Sequence, residues 1–477
     1  MTVKQTIFWY DLETTGTNPR AGRVMQFAGQ RTDLALKPVG EPVNVLIRLG
    51  ADILPEPDAV LITGITPQMT LADGITEAEF LRFFSEEVAV PGTVFAGFNS
   101  VRFDDEFMRF LHWRNFYDAY AWEWKDGRGR WDLLDVVRMT RALRPEGMEW
   151  PMDNGKASNR LELLTKANGL AHENAHDALS DVQACISVAK LIREKQPKLY
   201  DYLFAMRDKK RVAELVERDQ PFVYTSGKYD SAFDKTSVAV RIAQNPSSQG
   251  SLVYDLRYDP TPFMALSVTE LAERWQWTRD ENAPPRLPVK TLQYNRCPAV
   301  APLSVLDGHT QARLKVDLGL IAKHRDILRE NPQFIQDVLA ALKLLDAERE
   351  KRFTSATVDE QLYDGFVDDK NATIMSVIRA AAAEEISDIG KDLTDVRLKG
   401  LLPLYKARNF PRSLSDDERA EWDAHCYAAI MEGGTESRLA KYMHRLQQLS
   451  QTTTNADKRY LIEELQLYAE SIMPALE

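Results

Sequence analysis

The chain has 477 residues, too many for one hydrophobic core, so two to four domains are expected. Hydrophobic residues at 44% and charged residues at 27% are ordinary for a soluble globular protein. A formal net charge of -11 excludes a generally basic nucleic-acid coat, though not a basic groove on an acidic body.

Cys185, Cys297 and Cys426 are far apart and form no ligand pair, which suits a reducing compartment with no disulfide framework and no zinc site. No signal peptide, lipidation motif or long apolar run is present, so a cytoplasmic protein without membrane contact is expected.

Residues 6–13, Thr-Ile-Phe-Trp-Tyr-Asp-Leu-Glu, read as an apolar strand with two acids near its end. Asp11 and Glu13 are two apart, so on a strand both carboxylates point to the same face. An apolar strand does not place like charges side by side without compensation, and a divalent cation held by oxygen ligands is the usual one. That arrangement serves phosphoryl transfer. Further strands are expected over 24–32, 43–48 and 93–98, and helices over 77–88, 103–112, 131–142, 159–168 and 177–193. The alternation predicts an α/β unit over 1–196, a sheet flanked by helices.

Two later stretches of this unit add polar groups. Phe98 to Phe107 follows a strand and opens a helix. Asn99 would brace the turn, and Asp104 would stand at the helix start, where the dipole favours an anion. Asn174 to Asp181 opens the last helix. His176 and Asp181 are five apart, about 140° on an ideal helix. His176 therefore belongs to the entering loop and Asp181 to the first turns. A histidine there is suited to take a proton from water. Singly, these residues read as surface acids, helix caps and a surface histidine. Together, each on its expected element, they read as a site.

Single strands are held by basic side chains on phosphates and aromatic faces on bases. Residues 102–144 interleave both types. Tyr120 and Trp124 are the expected stacking residues, and Arg109 and Arg138 the phosphate contacts. Arg160 opens a helix and could clamp a phosphate. Lys209 lies in the basic run 207–211, which also reads as a solvated helix face.

From 197 to 350 short β-rich runs at 222–224, 237–242, 252–256 and 289–292 predict a small barrel or sheet, followed by helices from 310 to 348. Residues 351–357 read as a linker and 358–477 as a helical domain. Tyr363 and Phe366 fall in a connection there and are expected to touch a ligand.

Asp11-x-Glu13, Asn99 with Phe103-Asp104, and His176-x4-Asp181 resemble the three motifs of the DEDDh (DnaQ-like) 3′→5′ exonucleases. Arg-Trp-Asp-Leu-Leu-Asp (130–135), Leu-Thr-Lys-Ala-Asn-Gly (164–169), Gln-Leu-Tyr-Asp-Gly-Phe (361–366) and Ala-Arg-Asn-Phe-Pro (407–411) resemble the bacterial exodeoxyribonuclease I family, so the similarity spans the chain. The resemblance implies an RNase H-like exonuclease domain, an SH3-like β-barrel and a C-terminal helical domain around a single-stranded DNA channel. It implies processive release of 5′-mononucleotides from a 3′ end, in DNA repair and recombination. Two Mg²⁺ ions, with Mn²⁺ as a substitute, would be held by Asp11, Glu13, Asp104 and Asp181. Glu13 would also bond the terminal 3′-OH, and His176 would be the general base. A monomer is expected. It would dock single-stranded DNA-binding protein through that partner's acidic C-terminal tail, at a pocket near Arg144 and Tyr202. The alternatives are a 3′→5′ exoribonuclease and a catalytically dead single-strand-binding scaffold.

Overall fold

The computed structural model describes residues 4–172, 177–280, 282–352 and 357–473. Contacts divide the chain into two units: Met1–Gly129, His172–Gln183 and Ser355–Glu477 in the first, Arg130–Ala171 and Ala184–Thr354 in the second.

The sheet of the first unit contains β1 (Thr6–Thr14), β2 (Val24–Thr32), β3 (Val43–Leu46) and β4 (Thr93–Gly97), in the order β3-β2-β1-β4. β2 runs antiparallel to β1, pairing Asp11 with Ala28 and Glu13 with Gln26. β4 runs parallel to β1, pairing Trp9 with Ala96. Phe8, Tyr10 and Leu12 enter one apolar cluster with Phe27, Phe80, Phe84 and Phe95. Ile7 and Trp9, on the other face, are buried as well. A strand buried on both faces reads as a continuous apolar run, and the acids appear where that run ends.

Helix α1 (Asp104–Arg114) follows β4 after a turn in which Asn99 is left-handed at φ 70. Asparagine tolerates that conformation. Gly97 is required at the strand end, because a Cβ there would lie 2.9 Å from the Tyr10 carbonyl oxygen and 2.7 Å from Ser100 Cβ. The helix expected over 77–88 is α-helical only to Phe83 and continues as a π-turn, Phe84–Val88. Helix α2 (Ala178–Lys195) carries Asp181 in its first turn.

Within the same unit, C-terminal helices pack on the N-terminal part through two apolar clusters. One joins Phe110, Trp113 and Phe116 to Ile378, Leu401 and Tyr405. The other joins Leu54 and Val60 to Tyr442, Leu446, Leu465 and Tyr468. The long helix α3 (Val396–Asn409) belongs to this region.

The second unit holds a five-stranded antiparallel sheet: β5 (Phe222–Thr225), β6 (Thr236–Gln244), β7 (Gly250–Asp255), β8 (Val289–Gln293) and β9 (Ala299–Pro302). Their order is β8-β7-β6-β5-β9. β9 escapes a reading of the sequence because Ala-Val-Ala-Pro ends in proline. As an edge strand it tolerates Pro302, which pairs with Phe222. Among the described residues no helix is long and apolar enough to cross a membrane.

Candidate active site

Asp11 and Glu13 leave the same face of β1, as period-two alternation requires. Asp181 reaches them from α2. One carboxylate oxygen from each lies within 4.8 Å of the others. Asp177, just before α2, caps that helix by accepting the Ser180 N–H at 2.9 Å. It adds a fourth negative charge to the neighbourhood. Burial, then the charges of Asp181 and Asp177, push the Asp11 carboxyl well above the ordinary carboxylate range. Burial, then Asp11, Asp181 and Asp177, push Glu13 up to about 9.

Such a cluster either holds protons or holds a cation. Its donors are oxygens alone, which fits a hard divalent ion, and the crowding that disfavours bare carboxylates is what coordination relieves. Asp11, Glu13 and Asp181 are the residues that would hold it. Asp104 is buried at the N-terminus of α1 and is not part of the 4.8 Å group. Its neighbour Asp105 accepts a short hydrogen bond from the Tyr10 hydroxyl, tying the start of α1 to β1. His176 lies outside the described residues.

A second histidine, not foreseen from the sequence, enters here. His172 Nε2–H donates to Asp181 Oδ1 at 2.5 Å, with the imidazole almost wholly buried. It fixes the orientation of that carboxylate, as outer partners of metal ligands commonly do. The signal was the short spacing of two histidines, His172 and His176, in front of one helix.

The aromatic and basic residues separate into groups. In the first unit, Arg109 is 5% exposed and ion-paired to Glu106 and Glu123, each at 2.6 Å. Its guanidinium lies 5.3 Å from the Tyr120 ring centroid. Tyr363 donates its hydroxyl to Glu106 at 2.5 Å, and Arg20 lies 5.7 Å from its ring centroid. Arg109 and Tyr120 thus form one cluster with Tyr363, which is far from both in sequence. Its acidic members and Arg20 were not foreseen. Trp124 is 63% exposed, and Phe366 is fully so.

In the second unit, Arg138 pairs with Asp135 at 2.6 Å. Arg160 is exposed and paired with Glu162. Lys209 donates to Gln249 at 3.1 Å. Arg144 and Tyr202 reach one stretch of chain: Arg144 donates to the Val305 carbonyl and Tyr202 to that of Val300, both at 3.1 Å.

Residues 8–189 match the model of an exonuclease family, 207–343 that of the exonuclease I SH3-like domain, and 356–472 that of the exonuclease I C-terminal domain. Exodeoxyribonuclease I of Escherichia coli (strain K12) is 39% identical, over 98% of both chains. The chain belongs to the exodeoxyribonuclease I family. This family member is accordingly a nuclease of the hydrolase class, with divalent-metal chemistry. Exonuclease I from Methylocaldum szegediense superposes with a TM-score of 0.91 at 42% identity, covering 98% of this chain and 100% of its own. The zinc-bound complex of the E. coli enzyme with single-stranded DNA gives 0.92 at 38%, with the same coverage. The three-part architecture of exonuclease, SH3-like and helical domains is therefore that of the family.

Proposed function

We propose that this exonuclease degrades single-stranded DNA from the 3′ end and releases 5′-mononucleotides, on a chain divided at 1–196, 197–350 and 358–477. The convergence of Asp11, Glu13 and Asp181 carries the reading. Relatives solved with single-stranded DNA support the substrate. Asp11, Glu13 and Asp181, with Asp104 completing the set, would hold two divalent cations, Mg²⁺ in the first place with Mn²⁺ able to substitute. Bound there, the cations supply Lewis-acid activation of water and charge stabilisation at the leaving oxygen. Glu13 accepts a hydrogen bond from the terminal 3′-OH, which restricts attack to a free end. His176 takes the proton of the attacking water. His172 keeps Asp181 oriented. Trp124, Tyr120, Tyr363 and Phe366 offer ring faces to bases, and Arg109, Arg138, Arg160 and Lys209 offer positive charge to phosphates. Processive digestion and a part in DNA repair and recombination belong to this reading.

Docking to the acidic tail of single-stranded DNA-binding protein belongs to the same reading. The stretch that Arg144 and Tyr202 anchor borders a cavity of about 320 Å³, lined by Pro302, Leu303, Arg218 and Arg325. Basic and apolar walls together suit an acidic peptide with apolar side chains.

One experiment tests these statements. DNA and RNA oligomers labelled at the 5′ end are digested with Mg²⁺ or with chelator. The wild type should shorten DNA from the 3′ end with Mg²⁺ alone. Asp11→Ala should lose about 10³-fold or more in rate with an unchanged circular dichroism spectrum. Arg144→Ala should digest bare DNA normally yet bind the partner protein more weakly in a pull-down. Wild-type rates from Asp11→Ala would overturn the site, and RNA digested as fast as DNA would overturn the substrate.

A further inference from the structure

The first unit carries a cavity of about 500 Å³ toward the β3 edge of its sheet. Gln26 on β2, Asn44 on β3, Met69 and Asp73 of the helix Pro67–Asp73, and Asp177 just before α2 stand in its walls. Gln26 lies directly opposite Glu13 in the β1–β2 pairing, and opposite residues of such a pair share a face. The cavity therefore opens on the same side of the sheet as the strand acids. Among the described residues its lining holds two carboxylates and no lysine, arginine or histidine.

Neither carboxylate is balanced locally. Asp73 is the last residue of its helix, where a negative charge opposes the helix dipole, and no basic residue stands in that last turn. Asp177 uses one oxygen to cap α2 through the Ser180 N–H at 2.9 Å. Its charge adds to the crowding of Asp11 and Glu13. An anion is unwelcome in such a cavity, and a cation relieves it.

Gln26 supplies an independent sign. It is 7% exposed, and its Nε2 donates to Asn44 Oδ1 at 2.9 Å, which fixes the amide. Its carbonyl oxygen Oε1, turned to the cavity that the side chain lines, has no hydrogen-bond partner. A buried acceptor left so is costly and calls for a donor or a cation. The groups on offer are all oxygens, two of them charged, which suits a hard divalent ion. Such an ion sheds its water reluctantly, and the cavity has room for part of the hydration shell.

We propose that this cavity is an accessory divalent-cation site, in which a partly hydrated Mg²⁺ or Mn²⁺ ion is held by Asp73, Asp177 and the Gln26 carbonyl oxygen. The ion is additional to the catalytic cations proposed for Asp11, Glu13 and Asp181, and its binding does not require them. It ties the start of α2, the helix that carries Asp181, to β2 and to the helix Pro67–Asp73. Its work is therefore to brace the element that supplies a catalytic carboxylate.

The test counts Mn²⁺ bound to the full chain without DNA, by electron paramagnetic resonance of the free ion. The wild type should bind about three ions, about two of them at the catalytic acids. Asp73→Asn changes an exposed residue by one atom and should bind about one ion fewer, with an unchanged circular dichroism spectrum. Gln26→Met keeps the side-chain length, removes the acceptor and should weaken that ion about tenfold. Asp11→Ala should lose the catalytic ions yet keep this one, so Mn²⁺ should still raise its melting temperature. Adding Asp73→Asn to Asp11→Ala should abolish both the remaining ion and that rise. If Asp73→Asn and Gln26→Met bind Mn²⁺ with the wild-type number and affinity, the proposal is overturned. If Asp11→Ala binds as many ions as the wild type while Asp73→Asn loses one, the accessory site stands and the catalytic reading fails instead.

Discussion

With its carboxyl pushed up to about 9, Glu13 keeps a proton at neutral pH until a cation takes its place. The sign follows from linkage. A carboxyl whose folded pKa lies above its unfolded value binds more protons when folded, so its contribution to stability is complete below the unfolded pKa and is lost as pH rises toward about 9. Asp11 acts in the same direction. A divalent cation binds the deprotonated forms and releases those protons. Its affinity should therefore rise from about pH 6 to about pH 9, roughly tenfold per pH unit for each proton displaced. Calorimetry in buffers of different ionisation enthalpy measures that release directly. Affinity independent of pH over this range would contradict the shifts. The pairing of Asp11 with Glu13 is legible in the letters of one short strand, because alternation on a strand is local. The hydrogen bond from His172 to Asp181 is not, because it depends on how the chain enters α2.

Among the elements, the connection from Gln361 to Phe366 shows how a loop is made rigid. Arg397, on α3, donates to the carbonyls of Gly365 at 2.8 Å and of Gln361 and Phe366 at 3.3 Å each. Asp395 holds the guanidinium at 2.6 Å, and its carbon lies 5.2 Å from the Trp113 ring centroid. One side chain thus satisfies three backbone acceptors and fixes the loop that displays Phe366 to solvent. A large apolar ring fully exposed on a fixed loop gains nothing by folding. Phe366→Ala should therefore leave the melting temperature unchanged and weaken single-strand affinity by about 1–3 kcal/mol, the worth of one stacked base. Arg397→Lys, which cannot bond all three carbonyls, should weaken the same affinity with Phe366 intact. Unchanged affinity in both would mean the ring meets no base. Exposure of Phe366 was foreseeable from its place in a connection. Its anchoring was not, since Arg397 stands on a helix well beyond that connection and has no local mark.

At the scale of the first unit, a buried ionic network joins segments from opposite ends of the chain. Asp359 accepts from Arg23 at 2.6 Å and from Arg408 at 2.7 Å, and Arg408 reaches Asp52 at 2.6 Å. Burial works against the charge on Asp359, but Arg408 and Arg23 outweigh it and hold the carboxyl far below its ordinary range. With the folded pKa depressed, the stabilisation is present at neutral pH and is lost only in acid, as pH falls through that low value. Asp359→Asn would leave two buried guanidinium groups short of charge. It should lower stability by about 3–5 kcal/mol in chemical denaturation. A loss under about 1 kcal/mol would mean that the apolar clusters around Trp113 and Tyr468 hold the unit without it.

Sequence by itself determined the strand that ends in Asp11 and Glu13, the helix that opens near Asp181 and the helical character of the C-terminal region. Each of these is written in the spacing of near neighbours, and spacing is what backbone geometry reads. Only the tertiary structure decided that Asp181 closes to within 4.8 Å of the strand acids, that Tyr363 meets the cluster of Arg109 and Tyr120, and that Gln26, Asp73 and Asp177 line one cavity. Such distances are set by how sheets and helices pack over long separations along the chain, and no local pattern of residues records them.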